Sequence, residues 1–230
     1  MAQTYTADHF PSLMVASQNA DNRNLISAAD YLAQILQTNG VVFAFMGGFA
    51  VNLRGSGRTT HDVDIAVGTT MLELRQTFIQ QQRVVLPAGP TSGVLRIFVK
   101  TGGPWDGFDI PEKTVEIDLI LSGALGFPEN FQTDSEIIST NTVLGIKQYP
   151  VLTILYMMRS KLNAFYDRQS VNDYEDITWL TAHYPVDVYQ IRMQLDYEYR
   201  LTFLQAYIHQ YQGSNEQKKI RLMKHILGIA

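Results

Sequence analysis

Asp62 and Asp64, in the run DVDIAV (62–67), stand two residues apart. In a strand that spacing turns both carboxylates to one face and Val63 and Ile65 to the other. Two like charges side by side repel, and a divalent cation is the usual compensation, because carboxylate oxygens are the hard ligands that Mg²⁺ prefers. Solvent-facing acids at a strand end give the same pattern without a metal. A third carboxylate bears on that choice. Asp118 lies in TVEIDLILS (114–122), where Val115, Ile117, Leu119 and Leu121 occupy the other face. A charge flanked by such residues needs a partner, and Glu116 shares its face. If this strand neighbours that of Asp62 and Asp64, the carboxylates converge in a cluster that metal alone would neutralise. An edge strand with one wet face is the alternative.

Gly47 and Gly48 end the apolar run VVFAFM and precede FAVNLR, a short helix-compatible segment. The pair marks a strand-to-helix turn. Glycine there lets backbone N–H groups approach a phosphate, with the helix field in support; a plain turn explains the glycines equally well. His61, Arg54 and Lys100 carry weaker signals, since a turn histidine is more often merely exposed. Lys161 reads either as a solvated helix lysine or as a phosphate contact. Asp173 and Asp176 lie three apart on one helix face, within reach of Arg168 or Arg159.

These residues need a frame. Leu25, Ile26, Ala29, Leu32, Ile35 and Leu36 recur at helical spacing after a polar leader, with Gly40 as the stop. VVFAFM and DVDIAV read as strands. Thr69 or Thr70 caps a helix in MLELRQTFIQQQ, with Met71, Leu72, Leu74 and Phe78 on its apolar side. GVLRIFVK (93–100) and TVEIDLILS are strands, joined by TGGPWDGFDIPE, which is too rich in Gly, Pro and Asp for regular structure. From Pro150 the pattern turns helical, through VLTILYMMRSKLNAF, VNDYEDITWL, VDVYQIRMQL, YRLTFLQAYIHQY and NEQKKIRLMKHIL. Ser214 to Gln217 form a capping box for the last of these. The expected class is α+β: a mixed sheet with flanking helices over residues 1–145, then a helical bundle over 146–230.

The 230-residue chain is 46% hydrophobic and 17% charged, ordinary values for a globular protein. The first ten residues lack a basic n-region and an apolar h-region, and no run approaches the roughly 18 apolar residues of a membrane span. A cytoplasmic protein with no membrane partner is the expectation. The chain has no cysteine, which excludes disulfides, zinc-thiolate sites and cysteine nucleophiles. A net charge of -4 supplies no global basic field to concentrate polyanions.

The motifs resemble the nucleotidyltransferase superfamily related to polymerase β, whose signature is an apolar residue, Gly, Gly or Ser, a spacer, Asp-h-Asp/Glu-h, and a third acid on a later strand. Here it reads Met46-Gly47-Gly48, thirteen residues, Asp62-Val63-Asp64-Ile65, then Asp118. More narrowly, GGFAVNLRGSGRTTHDVDI looks like the AbiEii-type abortive-infection toxin branch. PVLTILYMMRSKLNAFYDRQSVNDYEDITWL resembles that branch's helical block at Lys161, Ala164, Arg168, Asp173 and Asp176, with Asn172 where lysine often stands. The resemblance spans about residues 40 to 182 and is variable over 85 to 112.

The resemblance implies a Mg²⁺-dependent (or Mn²⁺-dependent) transfer of a nucleoside monophosphate from an NTP such as ATP to a hydroxyl or amine. Asp62 and Asp64 would hold the metal, and Asp118 would complete a second metal site and help deprotonate the acceptor. Gly47, Gly48 and Lys161 would bind phosphates, with Arg58 and Thr59 nearby; Arg58 serves equally as an ion-pair partner. The acidic balance favours a small-molecule or protein acceptor slightly over RNA. A non-catalytic nucleotide-binding or interaction module, or a fold recruited for nucleotide-independent chemistry, is the rival reading.

Overall fold

A computed structural model describes residues 1–107, 109–123, 131–211 and 216–229. It has two compact units, Met1–Val151 and Leu152–Ala230.

In the first unit the described strands are β1 (Gln3–Tyr5), β2 (Val42–Met46), β3 (Asp62–Gly68), β4 (Val84–Pro87), β5 (Val94–Thr101), β6 (Lys113–Leu121), β7 (Ser135–Thr142) and β8 (Gly145–Leu152). They form one mixed sheet in the order β1-β4-β5-β6-β3-β2-β8-β7. β3 runs parallel to β6 and antiparallel to β2, while β5 runs antiparallel to β6. β6 is therefore interior, which removes the edge-strand alternative for Asp118. Val63, Ile65, Ile97, Ile117 and Leu119 are fully buried.

The helices of this unit are α1 (Phe10–Ser17), α2 (Asn22–Thr38), α3 (Gly47–Leu53), α4 (Met71–Ile79) and α5 (Phe131–Asp134). α2 carries the expected apolar stripe, with Leu25, Ile26, Ala29, Leu32 and Leu36 at 2% exposure or less. Its N-terminus is closed by a capping box between Asp21 and Asn24. Asn24 also donates to Thr101 Oγ1 and to the Pro111 carbonyl, each at 2.9 Å, tying α2 to the face opposite Arg96. α1 lies on the other face, where Phe10, Leu13 and Met14 pack on Tyr5, Val85 and Phe98. Thr70, not Thr69, caps α4, in a capping box with Glu73; Leu72 on that helix is exposed.

The polar leader expected before α2 holds β1 and α1, and β4 and the β7–β8 pair were not foreseen in the pattern. Val151 and Leu152, read as the start of a helix, end β8, where Val151 pairs with Phe45.

The second unit is helical: α6 (Ile154–Arg168), α7 (Val171–His183), α8 (Pro185–Ile191), α9 (Tyr197–Gln210) and α10 (Gln217–Leu227). Met158, Leu162, Phe165, Ile177, Leu180, Phe203 and Leu227 fill its core. Gln169 ends α6 in the left-handed region (φ 48°), and Ser170 then caps α7. The capping box expected at the start of α10 rests on Ser214, which lies outside the described residues.

Candidate active site

The sheet register brings the acids together. Asp62 pairs with Glu116 and Asp64 with Asp118 across the parallel β3–β6 ladder, so the four carboxylates share one sheet face. Asp62, Asp64 and Asp118 are half-buried, and Glu116 is buried.

Gly47 starts α3 directly after β2, with φ 65°, a backbone conformation that suits glycine. The space its missing side chain leaves is taken by a catalytic candidate: a Cβ on Gly47 would lie 1.8 Å from Asp64 Oδ2. A Cβ on Gly48 would lie 2.2 Å from Arg58 Nη2. The Arg58 guanidinium thus folds back over the strand-to-helix turn, and its carbonyl accepts from Asn52 Nδ2 at 2.9 Å. Thr59 is exposed, and its carbonyl accepts from Arg58 Nη1 at 3.0 Å. Thr60, which the motif reading passed over, is buried and donates to Asp62 Oδ1 at 2.7 Å. Its hydroxyl two residues before Asp62 is the signal for it.

The acid cluster also holds a cationic side chain that the sequence pattern did not supply. Arg96 on β5 pairs across the ladder with Asp118. Its Nε and Nη2 donate to the two Asp118 oxygens, each at 2.7 Å, and Nε also lies 3.1 Å from Glu116 Oε1. This two-pronged guanidinium–carboxylate geometry is the strong form of the ion pair. The hydrogen bonds to Asp118 raise the Arg96 pKa above the usual guanidinium range. Burial raises that of Glu116, Arg96 offsets part of the rise, and Asp118 and Asp62 add to it.

Asp62, Asp64 and Asp118 supply hard oxygens from adjacent strands, and the absence of a side chain on Gly47 lets the Asp64 carboxylate lie against the turn backbone; in donor chemistry the residues fit a divalent cation. As the side chains stand, no group of three acids or histidines is positioned to hold a metal among the described residues. In this arrangement both Asp118 oxygens accept from Arg96.

Lys161, expected at a phosphate, belongs to the second unit and is buried there at 7% exposure. Its ammonium lies 2.7 Å from Asp176 Oδ2 and 3.3 Å from Asp173 Oδ1. Arg168 grips Asp173 through Nε at 2.6 Å and Nη2 at 3.0 Å, and Ser170 donates to it at 2.7 Å. Burial alone would raise the Asp173 pKa, but the Arg168 hydrogen bonds, Lys161 and Ser170 bring it below the ordinary carboxylate value. Arg159 instead donates to the Gln194 carbonyl. The helical block that resembles the toxin branch is thus an ion-pair network inside its own unit.

Comparison with solved structures identifies the fold. An antigenic nucleotidyltransferase-like protein from Paracoccidioides brasiliensis superimposes with a TM-score of 0.56 at 15% identity, covering 88% of this chain and 94% of that chain. The antibiotic-resistance factor ANT(2'')-Ia gives a TM-score of 0.50 at 8% identity, covering 86% and 99%. No protein-family model and no curated protein matches the sequence. The chain shares the α+β fold of these two structures. No helix among the described residues is long and apolar enough to cross a membrane.

Proposed function

We propose that the protein is a nucleotidyltransferase that moves a nucleoside monophosphate from an NTP to a hydroxyl or amine. One observation carries the reading: Asp64 and Asp118 pair in register on parallel strands, with Gly47 against the Asp64 carboxylate. The proposed catalytic unit is the sheet domain, expected over residues 1–145 and extended by β8 to Val151, and the helices that follow form the second domain. The AbiEii-type branch is part of the proposal and rests on the sequence motifs.

Asp62, Asp64 and Asp118 would hold Mg²⁺ or Mn²⁺, which when bound supplies charge stabilisation to the entering and leaving oxygens of an in-line displacement. Thr60 fixes the Asp62 carboxylate through its 2.7 Å hydrogen bond. Gly47 and Gly48 give a phosphate access to the turn backbone, with Arg58 and Thr59 beside it. Asp118 accepts the acceptor's proton as the new O–P or N–P bond forms at the α-phosphorus, and the bond to the β-phosphate breaks to release pyrophosphate. Positioning and charge neutralisation supply the rest of the rate. Lys161 is left out of the phosphate set because two aspartates already neutralise it. The net charge of -4 supports a small-molecule or protein acceptor over RNA, and a cytoplasmic setting remains part of the proposal.

The grip of Arg96 on Asp118 favours a second reading, a nucleotide-binding module without transfer. Incubation with each α-labelled NTP, Mg²⁺ and a cell extract separates the two. Label on a metabolite, protein or RNA, lost in Asp64→Ala, supports transfer. No label with wild type, or equal label with Asp64→Ala, ends it.

A further inference from the structure

Arg96 makes two ion pairs where one would neutralise it. Both Asp118 oxygens accept from it at 2.7 Å, and Glu116 Oε1 stands 3.1 Å from its Nε. Glu116 and Asp118 lie two residues apart on one strand, on one face. The Arg96 backbone is fixed in the β5–β6 ladder, its carbonyl accepts from Tyr5 at 3.0 Å, and the Phe10 ring lies 5.9 Å from its guanidinium carbon. The guanidinium can therefore change partners by side-chain rotation, with no strand movement. A cation arriving at Asp118 would otherwise meet a positive charge already seated on both of its oxygens.

We propose that Arg96 is a resident counter-ion that competes with a divalent cation for Asp118, and that Glu116 is the carboxylate to which Arg96 shifts when the cation binds. This rests on the nucleotidyltransferase reading above. With the cation on Asp62, Asp64 and Asp118, and Arg96 on Glu116, every carboxylate of the face keeps a partner. Without it, Arg96 alone spans Asp118 and Glu116 and relieves their mutual repulsion. The arrangement makes the empty site a poor metal binder, so that the polyanionic nucleotide must accompany the metal. Arg96 and Glu116 are positioning residues here, acting through Asp118.

The test is Mn²⁺ binding to the whole chain without nucleotide, read from the electron paramagnetic resonance signal of the free ion. Arg96→Met is expected to bind Mn²⁺ about tenfold or more tightly than wild type, since one opposing charge a few ångström away is removed. It should also melt at a lower temperature without Mn²⁺ and gain more from it. Glu116→Gln should weaken Mn²⁺ binding in the wild-type background by more than in Arg96→Met, because its role is to receive Arg96; a bare charge effect would be equal in both. Arg96→Lys, which keeps the charge but loses the two-pronged grip, falls between wild type and Arg96→Met and replaces the latter if it does not fold. A folded Arg96→Met or Arg96→Lys with wild-type or weaker affinity overturns the proposal, as does an equal Glu116→Gln effect in the two backgrounds. If wild type binds Mn²⁺ with ATP and loses it in Asp64→Asn, the nucleotidyltransferase reading survives that failure. If no form binds Mn²⁺, with or without ATP, both fail together.

Discussion

Gly47 and Asp64 share one space: the position a Cβ would take on Gly47 lies 1.8 Å from the Asp64 carboxylate oxygen. The residue is also at φ 65°, so any side chain there adds backbone strain to the clash. Asp64 cannot yield cheaply, because its backbone is locked between β2 and β6 by pairing with Met46 and Asp118. Gly47→Ala should cost about 1–3 kcal/mol of stability. It should cut nucleotide transfer by about a hundredfold, the scale of an ångström-sized misplacement of a reacting group. Thermal melts and labelled-NTP assays read the two effects separately. Gly48→Ala, whose Cβ would meet the far end of Arg58 at 2.2 Å and Thr60 Oγ1 at 3.1 Å, should be milder in both, because the closest atom ends a long side chain.

Thr60 holds Asp62 by a 2.7 Å hydrogen bond and is itself buried. Thr60→Val keeps the shape and removes the bond, leaving the Asp62 carboxylate free to rotate. Supporting bonds of this kind are worth about 10–100-fold in metal affinity or activity. Stability should change by only about 1 kcal/mol, the net worth of one hydrogen bond. Mn²⁺ titration in the presence of ATP, together with a melt, checks the pairing of a large functional loss with a small structural one.

Much of this site was legible because each part sits in a local pattern. The alternation in DVDIAV and TVEIDLILS put the carboxylates on the polar side of their strands, and the glycine pair ended an apolar run. What was not legible is register, since a one-residue slip exchanges the two faces and nothing in a single strand sets it. Arg96, inside the strand GVLRIFVK, shows no partner in the sequence for that reason. A charge interrupting one apolar strand and an opposite charge interrupting the next was the signal for the pair. The N-terminal β1 and α1 have few apolar residues, Tyr5, Phe10, Leu13 and Met14, and these find partners such as Val85 and Phe98 only once the sheet has formed. β7 and β8 went unseen because most of their residues stay at least partly exposed, and they show no clean alternation.

Asn24 ties the start of α2 to the sheet end and to the loop before β6, donating to Thr101 Oγ1 and to the Pro111 carbonyl from a side chain 1% exposed. Its Oδ1 also accepts from the Asp21 N–H in the capping box. Asn24→Ala leaves these buried groups without their partner, which costs about 1–3 kcal/mol for an unsatisfied group. A drop in melting temperature, with the Mn²⁺ affinity of the folded protein unchanged, is the expected result.

Asp173 in the second unit is fully buried, and the grip of Arg168, Lys161 and Ser170 holds its pKa below the ordinary 3.8. A carboxyl whose folded pKa is depressed contributes stability above its unfolded pKa and loses that contribution as pH falls through the folded value. Asp173→Asn removes the charge and leaves Lys161 buried with Asp176 as its remaining aspartate partner. Breaking one side of such a network costs about 3–5 kcal/mol at neutral pH. The gap between wild type and variant should hold down to about pH 5 and close below pH 3.8, as the wild-type Asp173 itself takes up a proton. Denaturation midpoints across that range measure it, and a gap that stays constant to the lowest pH would show that the charge of Asp173 is not what stabilises the helices.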